Sequence, residues 1–102
     1  MNFDRDQIIA ALAEALSAIV VFKGRPAPTM RLGEHTDPAK TLELDSDDLI
    51  LVGVELSDLL GVEVPEEAID WVDDSSGHRR CRTLGEMADG ILRYFQKEAV
   101  RG

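Results

Sequence analysis

The most chemically suggestive part of the chain is the acidic stretch around Ser46. Asp45, Ser46, Asp47 and Asp48 follow one another directly before an apolar run that begins at Leu49. Asp45 is a favourable N-cap residue, and the next two aspartates suit the positive end of a helix dipole. The Ser46 hydroxyl is thus expected at a helix start, where free amide N–H groups favour a phosphate. Taken alone, these residues favour the simpler interpretation, a serine that only helps to close the helix cap.

Intrinsic catalysis and metal binding find little support in the sequence. A nucleophilic serine needs a base, and no histidine is next to Ser46. A calcium loop at the same place fails, because Leu49 and Ile50 occupy positions that need an oxygen ligand and a glycine. His78 and Cys81 have the spacing of metal ligands, but the sequence offers few partners to complete a set. We therefore predict neither catalytic residues nor a metal site.

Four helical segments are expected to position these residues. The first is predicted from about Asp4 to Val21, and a long connection, 25–44, follows it. The second lies within 45–61, and a short third helix is predicted over Pro65 to Val72. The last begins at the capping box 83–86. We predict an all-α fold without a persuasive strand: a small four-helix bundle of three longer helices and one short third helix, with a long first loop.

The second helix has two unlike faces. At about 100° per residue one face is apolar and is assigned to the core, with Leu49, Val52, Leu56, Leu59 and Leu60. The other face is acidic and partly apolar, with Asp47, Asp48, Leu51, Glu55 and Asp58, flanked by Ile50 and Val54. Charge on this face would steer a basic partner, and the apolar pair would add contact. A solvated helix surface is the simpler alternative.

Composition and charge narrow the class of protein. The 102 residues fit one domain spanning 1–102, and 20 acidic against 11 basic residues give a formal charge of −9. Such a surface repels nucleic acid and anionic lipid and attracts basic protein surfaces. A lone cysteine, no apolar run of membrane-spanning length and no secretory signal lead us to expect a cytoplasmic monomer without stable membrane insertion. The basic run 78–82 either pairs internally with the acidic helices or contacts an acidic partner.

The run from Leu42 to Leu49 resembles the attachment motif of acyl carrier proteins. The resemblance continues through Gly61-Val62-Glu63-Val64-Pro65 and resumes at Thr83-Leu84-Gly85-Glu86 and at Ile91. It implies that Ser46, preceded by Asp45, carries a covalent 4′-phosphopantetheine arm. A separate phosphopantetheinyl transferase would add this arm from coenzyme A. Acyl groups would then be held on its thiol as thioesters.

The resemblance also implies a function and a set of partners. The protein would be a non-catalytic carrier in fatty acid, lipid or secondary-metabolite biosynthesis. Besides the transferase, its partners would be acyl-transferring or synthase enzymes with basic docking surfaces. The residues that would meet them lie on the second helix: Asp47, Asp48, Ile50, Leu51, Val54, Glu55 and Asp58.

Three positions depart from the family's pattern. Asp47 stands where the family has Leu, Met or Ile, Glu43 where it usually has glycine, and Gly53 where a branched residue is common. Gly53 either leaves room for an acyl chain or is a helix defect that costs about 1 kcal/mol relative to alanine. Asp47 favours an alternative function, an unmodified carrier-like helical adaptor that binds a protein through its acidic second helix.

Overall fold

Most of the chain is helical. The structure, a computed structural model, describes residues 3–69, 72–73, 77 and 80–101. Its helices are α1 (Arg5–Phe22), α2 (Pro38–Thr41), α3 (Ser46–Leu60) and α4 (Leu84–Arg101), with a 3-10 turn at Glu66–Ala68. Two short strands, β1 (Val72–Asp73) and β2 (Arg80–Cys81), pair antiparallel. The radius of gyration is 13.2 Å, the value of a compact domain of this length.

The first helix begins and ends close to where its caps predict. The Asp4 side chain accepts a hydrogen bond from the Gln7 amide at 2.8 Å, and the Gln7 side chain accepts one from the Asp4 amide at 2.9 Å. This reciprocal capping box starts α1 one residue after Asp4. At the other end Gly24 adopts φ +82°, the left-handed conformation that terminates many helices. The predicted first helix is confirmed to within one residue at each end.

The core is aliphatic and lies between α1, α3 and α4. Its fully buried large side chains include Ile8, Leu12, Leu16, Val52, Leu56, Leu84, Met87 and Ile91. The described aromatic residues lie at the margin of the core, where the rings of Phe3 and Phe95 contact at a tilt of 40° with centroids 5.9 Å apart. No helix among the described residues is long and apolar enough to cross a membrane.

The core face predicted for the second helix needs two corrections. Leu59 is 41% exposed, because Leu60 packs toward the core in its place. Asp48 is only 8% exposed, because it turns inward to pair with Lys23. A helical-wheel projection considers one helix alone, so it cannot predict an ion pair with a residue of another helix.

The long first loop contains a short helix that the sequence analysis missed. Asp37 caps α2 by accepting hydrogen bonds from the amides of Ala39 and Lys40 at 2.9 and 3.2 Å. Pro38 occupies the first position of this helix. The sequence predicts a loop throughout 25–44, but proline is favoured at a first helical position, where its missing N–H costs nothing.

The same loop closes the beginning of α4. The amide of Leu84 donates to the Thr36 carbonyl at 3.1 Å, and the amide of Gly85 donates to the Glu34 carbonyl at 2.9 Å. Arg5 on α1 bridges Glu34 and Asp89, which fastens this loop between the two helices. Because the first amides of a helix have no partner within it, the loop supplies acceptors that α4 itself lacks.

The predicted short third helix over 65–72 is wrong in extent. Among the described residues of this range, only Glu66–Ala68 is helical, as one 3-10 turn, and Val72–Asp73 is extended and pairs with Arg80–Cys81. We predicted no strand, and this pair corrects that prediction.

In the basic run 78–82, the Arg80 guanidinium donates two hydrogen bonds to the Glu86 carboxylate, at 2.9 and 2.8 Å. At Arg80 the run therefore pairs internally with an acidic residue. Trp71, Ser75, Ser76, His78 and Arg79 lie outside the described residues.

Candidate functional site

The N-terminus of α3 is built by a second capping box. Asp45, in extended conformation, accepts a hydrogen bond from the Asp48 amide at 3.0 Å. The Asp48 side chain accepts one from the Asp45 amide, also at 3.0 Å. Ser46 is therefore the first helical residue, as predicted; its backbone is described and its side chain lies outside the description. Helix geometry directs the amides of the first turn outward, away from any partner in the helix.

An ion pair fixes this helix start against α1. Lys23 Nζ lies 2.6 Å from Asp48 Oδ2, and the carboxylate is mostly buried. The hydrogen bond from Lys23 is the main reason that the pKa of Asp48 lies below its usual value. Asp48 was expected on the docking surface, and the structure instead places it inside the helix cap. Its role in the geometry is to join the end of α1 to the start of α3.

A constrained turn precedes the site. Glu43 has φ +53°, in the left-handed region that favours glycine. The Arg25 guanidinium donates to the Leu42 carbonyl at 2.7 Å and to the Glu43 carbonyl at 3.3 Å. Leu42 and Leu44 on either side are buried in the core. The turn is thus held from both sides, and Arg25 is a positioning residue that the sequence analysis missed because it lies far away in the chain.

The outer side of α3 exposes the acidic and apolar residues that were expected there. Val54 is 62% exposed, Ile50 48% and Leu51 41%. Asp47 and Asp58 are exposed, and Glu55 is half-buried. This surface begins at Asp47, directly after Ser46, and continues along the helix.

A cleft of about 370 Å³ separates α3 from the segment 62–69. It is lined by Leu49, Ile50, Gly53, Val54, Ser57, Asp58, Glu63, Val64 and Ile69. A Cβ on Gly53 would lie 3.5 Å from Ile69 Cδ1, which is an ordinary contact. Gly53 therefore widens the cleft, although packing does not require a glycine at this position.

The Ser57 hydroxyl joins the two walls of the cleft. It donates to the Gly53 carbonyl at 2.9 Å within α3 and accepts from the buried Val64 amide at 2.9 Å across the cleft. A hydroxyl that donates on one side and accepts on the other fixes the distance between the walls. The width of the cleft is thus set by one side chain.

The described geometry brings together a helix start at Ser46, an exposed acidic and apolar helix face, and an adjoining cleft. Of the predicted site residues whose side chains the structure describes, only Asp48 points inward. In comparisons with known proteins, no family model, no curated protein and no solved structure matches this chain.

Proposed function

We propose that the protein is an acyl carrier with a 4′-phosphopantetheine arm on Ser46. In this proposal the chain is a small four-helix bundle of the carrier type, with the 3-10 turn in place of a regular third helix. A separate transferase directs the Ser46 hydroxyl at coenzyme A. The serine oxygen forms a new phosphodiester, the pyrophosphate bond of coenzyme A breaks, and the adenosine bisphosphate leaves. Acyl groups then form thioesters with the terminal thiol.

The position of Ser46 carries this proposal. It is the first residue of α3, behind the N-cap Asp45 and beside an exposed helix face. A phosphodiester on this residue would meet the outward amides and the positive end of the helix dipole. A residue at a helix start is also accessible to the active site of another enzyme.

The turn at Glu43 and the cleft add support. Glu43 adopts a left-handed backbone conformation, which glycine favours, at the position where carriers usually have glycine. The cleft starts one turn along α3 from Ser46 and has apolar walls at Leu49, Val64 and Ile69. It would shelter part of an acyl chain from water, which is favourable in proportion to the apolar area that is covered.

Intact mass tests the proposal directly. The protein is incubated with coenzyme A and a broad-specificity phosphopantetheinyl transferase, and its mass is compared with that of Ser46→Ala. Ser17→Ala is the matched control, because this serine lies on α1 and bonds only to the Ala13 carbonyl among the described contacts. We expect one added phosphopantetheine on the parent and on Ser17→Ala, and none on Ser46→Ala.

Asp47 supports the second function, an unmodified adaptor. Its exposed carboxylate follows Ser46, where carriers offer an apolar contact to the transferase. The protein isolated from its native cell separates the two functions. An arm on Ser46 there supports the carrier even if the broad-specificity enzyme fails. Unmodified protein in both experiments contradicts the carrier and favours the adaptor.

A further inference from the structure

A second surface of α3 forms a shallow apolar groove with α1. It has a volume of about 210 Å³ and is lined by Ala18, Ile19, Phe22, Leu51, Val54 and Glu55. At about 100° per residue, its α3 residues occupy the face next to the cleft, and Val54 stands between the two. Ser46 is not among the residues that line this groove.

Three of the lining side chains are strongly exposed. Phe22 is 78% exposed, Val54 62% and Leu51 41%. An aromatic side chain offers roughly 150–250 Å² for burial when a partner covers it. Exposed apolar groups that are gathered in one place mark interaction sites more often than scattered ones do.

Acidic side chains surround one end of the groove. Lys23 at the end of α1 pairs with Asp48 at the start of α3, so the two helices run antiparallel. Glu14 lies one turn before Ala18 on α1, and Asp58 follows Glu55 by three residues on α3; both are exposed. The antiparallel arrangement brings Glu14, Glu55 and Asp58 to the same end. Near the other end, Lys23 is already paired with Asp48, and the Arg25 guanidinium donates to the Leu42 and Glu43 carbonyls.

This charge decides which occupant fits. A two-fold dimer through the groove would bring the same surface of two copies together, and each copy has a net charge of −9. An anionic lipid surface is repelled for the same reason. We propose that the groove binds a basic amphipathic helix of a partner protein, with apolar residues at helical spacing in the groove and Lys or Arg against the acidic end.

The inference does not rest on the arm at Ser46, since it holds for a carrier and for an adaptor. A partner helix in this groove would lie beside the start of α3, within reach of whatever Ser46 carries. Phe22 would be its central anchor, because large aromatic contacts dominate the binding energy of small interfaces.

A titration followed by NMR tests the groove. The probe is a synthetic amidated peptide with leucines at i, i+3 and i+4 spacing and lysines elsewhere, and a scrambled peptide of the same composition is the control. We expect amide shifts centred on Ala18, Phe22 and Leu51 with the first peptide, and binding at least about tenfold weaker with the second.

Two variants of neighbouring residues localise the effect. Phe22→Ser should weaken binding about tenfold or more. Val21→Ser is the matched control, because Val21 is 53% exposed and does not line the groove. Ser46→Ala should bind the peptide like the parent, so that failure here is distinct from failure of the carrier proposal.

Four outcomes overturn the inference. Equal binding of the scrambled peptide would mean attraction by charge alone. Equal losses in Phe22→Ser and Val21→Ser, or shifts centred on Ser57 and Val64, would place the peptide elsewhere. A concentration-dependent dimer that Phe22→Ser abolishes would show that the occupant is a second copy.

Discussion

At the scale of single residues, Glu43 shows how the chain holds a strained position. A non-glycine residue in the left-handed region costs about 1–2 kcal/mol. The buried neighbours Leu42 and Leu44 and the two hydrogen bonds from Arg25 keep the turn in place. The turn fixes where Asp45 caps α3 and hence where Ser46 stands. The sequence marks Glu43 as unusual, but only the backbone shows why.

Replacing Glu43 by glycine should stabilise the protein. Relief of the left-handed strain exceeds the extra chain entropy that glycine loses on folding, so we expect a gain of about 0.5–1 kcal/mol in the free energy of unfolding. Urea denaturation measures it. Glu63→Gly is the matched control, since Glu63 is exposed and is not among the described non-glycine residues with positive φ. A loss of stability in both variants would contradict the strain at Glu43.

At the scale of elements, the helices were predictable where their caps are local. Asp4, Asp45 and Thr83 each begin a helix with a capping partner three residues later, and the structure has all three boxes. The extent of the third helix was not predictable, because Val72 and Asp73 pair with the distant strand Arg80–Cys81. The inward turn of Asp48 depends on Lys23 for the same reason. Contacts between distant residues leave no periodic pattern in the sequence.

The contact between the first loop and α4 leaves little room for a side chain at Gly85. A Cβ there would lie 2.6 Å from Arg5 Nη2, the end of a flexible side chain, 3.0 Å from the Glu34 carbonyl oxygen and 3.1 Å from Glu34 Cβ. Gly85→Ala should therefore lower the free energy of unfolding by about 1–3 kcal/mol, although alanine favours helix by about 1 kcal/mol. Gly53→Ala is the control. Its new Cβ in α3 makes only an ordinary contact, so this substitution should stabilise the protein. Urea midpoints distinguish them, and stabilisation of both would contradict the tight contact.

The start of α4 should also give the protein a dependence on pH. Hydrogen bonds from Arg80, and then from the Thr83 backbone, lower the pKa of Glu86 from 4.5 to about 2. A lowered folded-state pKa means that this stabilisation is present above about pH 4.5 and is lost as the pH falls toward about 2. Glu86→Gln should be less stable at neutral pH, and its deficit should shrink over that window. Denaturation at several pH values measures this; parallel profiles would contradict it.

At the scale of the whole molecule, the net charge of −9 affects partner binding mainly through the surfaces that partners contact. The exposed face of α3 combines carboxylates with apolar side chains close to Ser46, so in the proposed carrier its charge would bring a basic enzyme to the attachment site. The acidic balance was evident from composition. The acidic face of the second helix was predictable from helical periodicity. The groove with α1 was not, because it forms only where two helices pack together.

Reversing two charges on that face should slow modification. In the proposed carrier, Glu55→Lys with Asp58→Lys should reduce the rate of its own transferase about tenfold at low salt, because steering is lost. The difference should shrink near physiological salt, where the screening length is about 8 Å. Reversal of Asp6 and Glu98, exposed residues on α1 and α4, makes the same change in net charge and should have little effect. Equal rates at low salt would contradict steering.

The carbonyls of Glu34 and Thr36, which accept hydrogen bonds from the first amides of α4, affect how this part of the molecule opens locally. The amide protons of Leu84 and Gly85 are held by the loop, so they exchange with solvent deuterium only when the loop lifts. Their exchange rates should match each other, exceed those of the Leu56 and Ile91 amides in the core helices, and rise together in Arg5→Ala. The connection between α1 and α3 and the first turn of α4 thus behave as one cooperative opening unit, although nearly fifty residues of sequence separate Glu34 from Leu84.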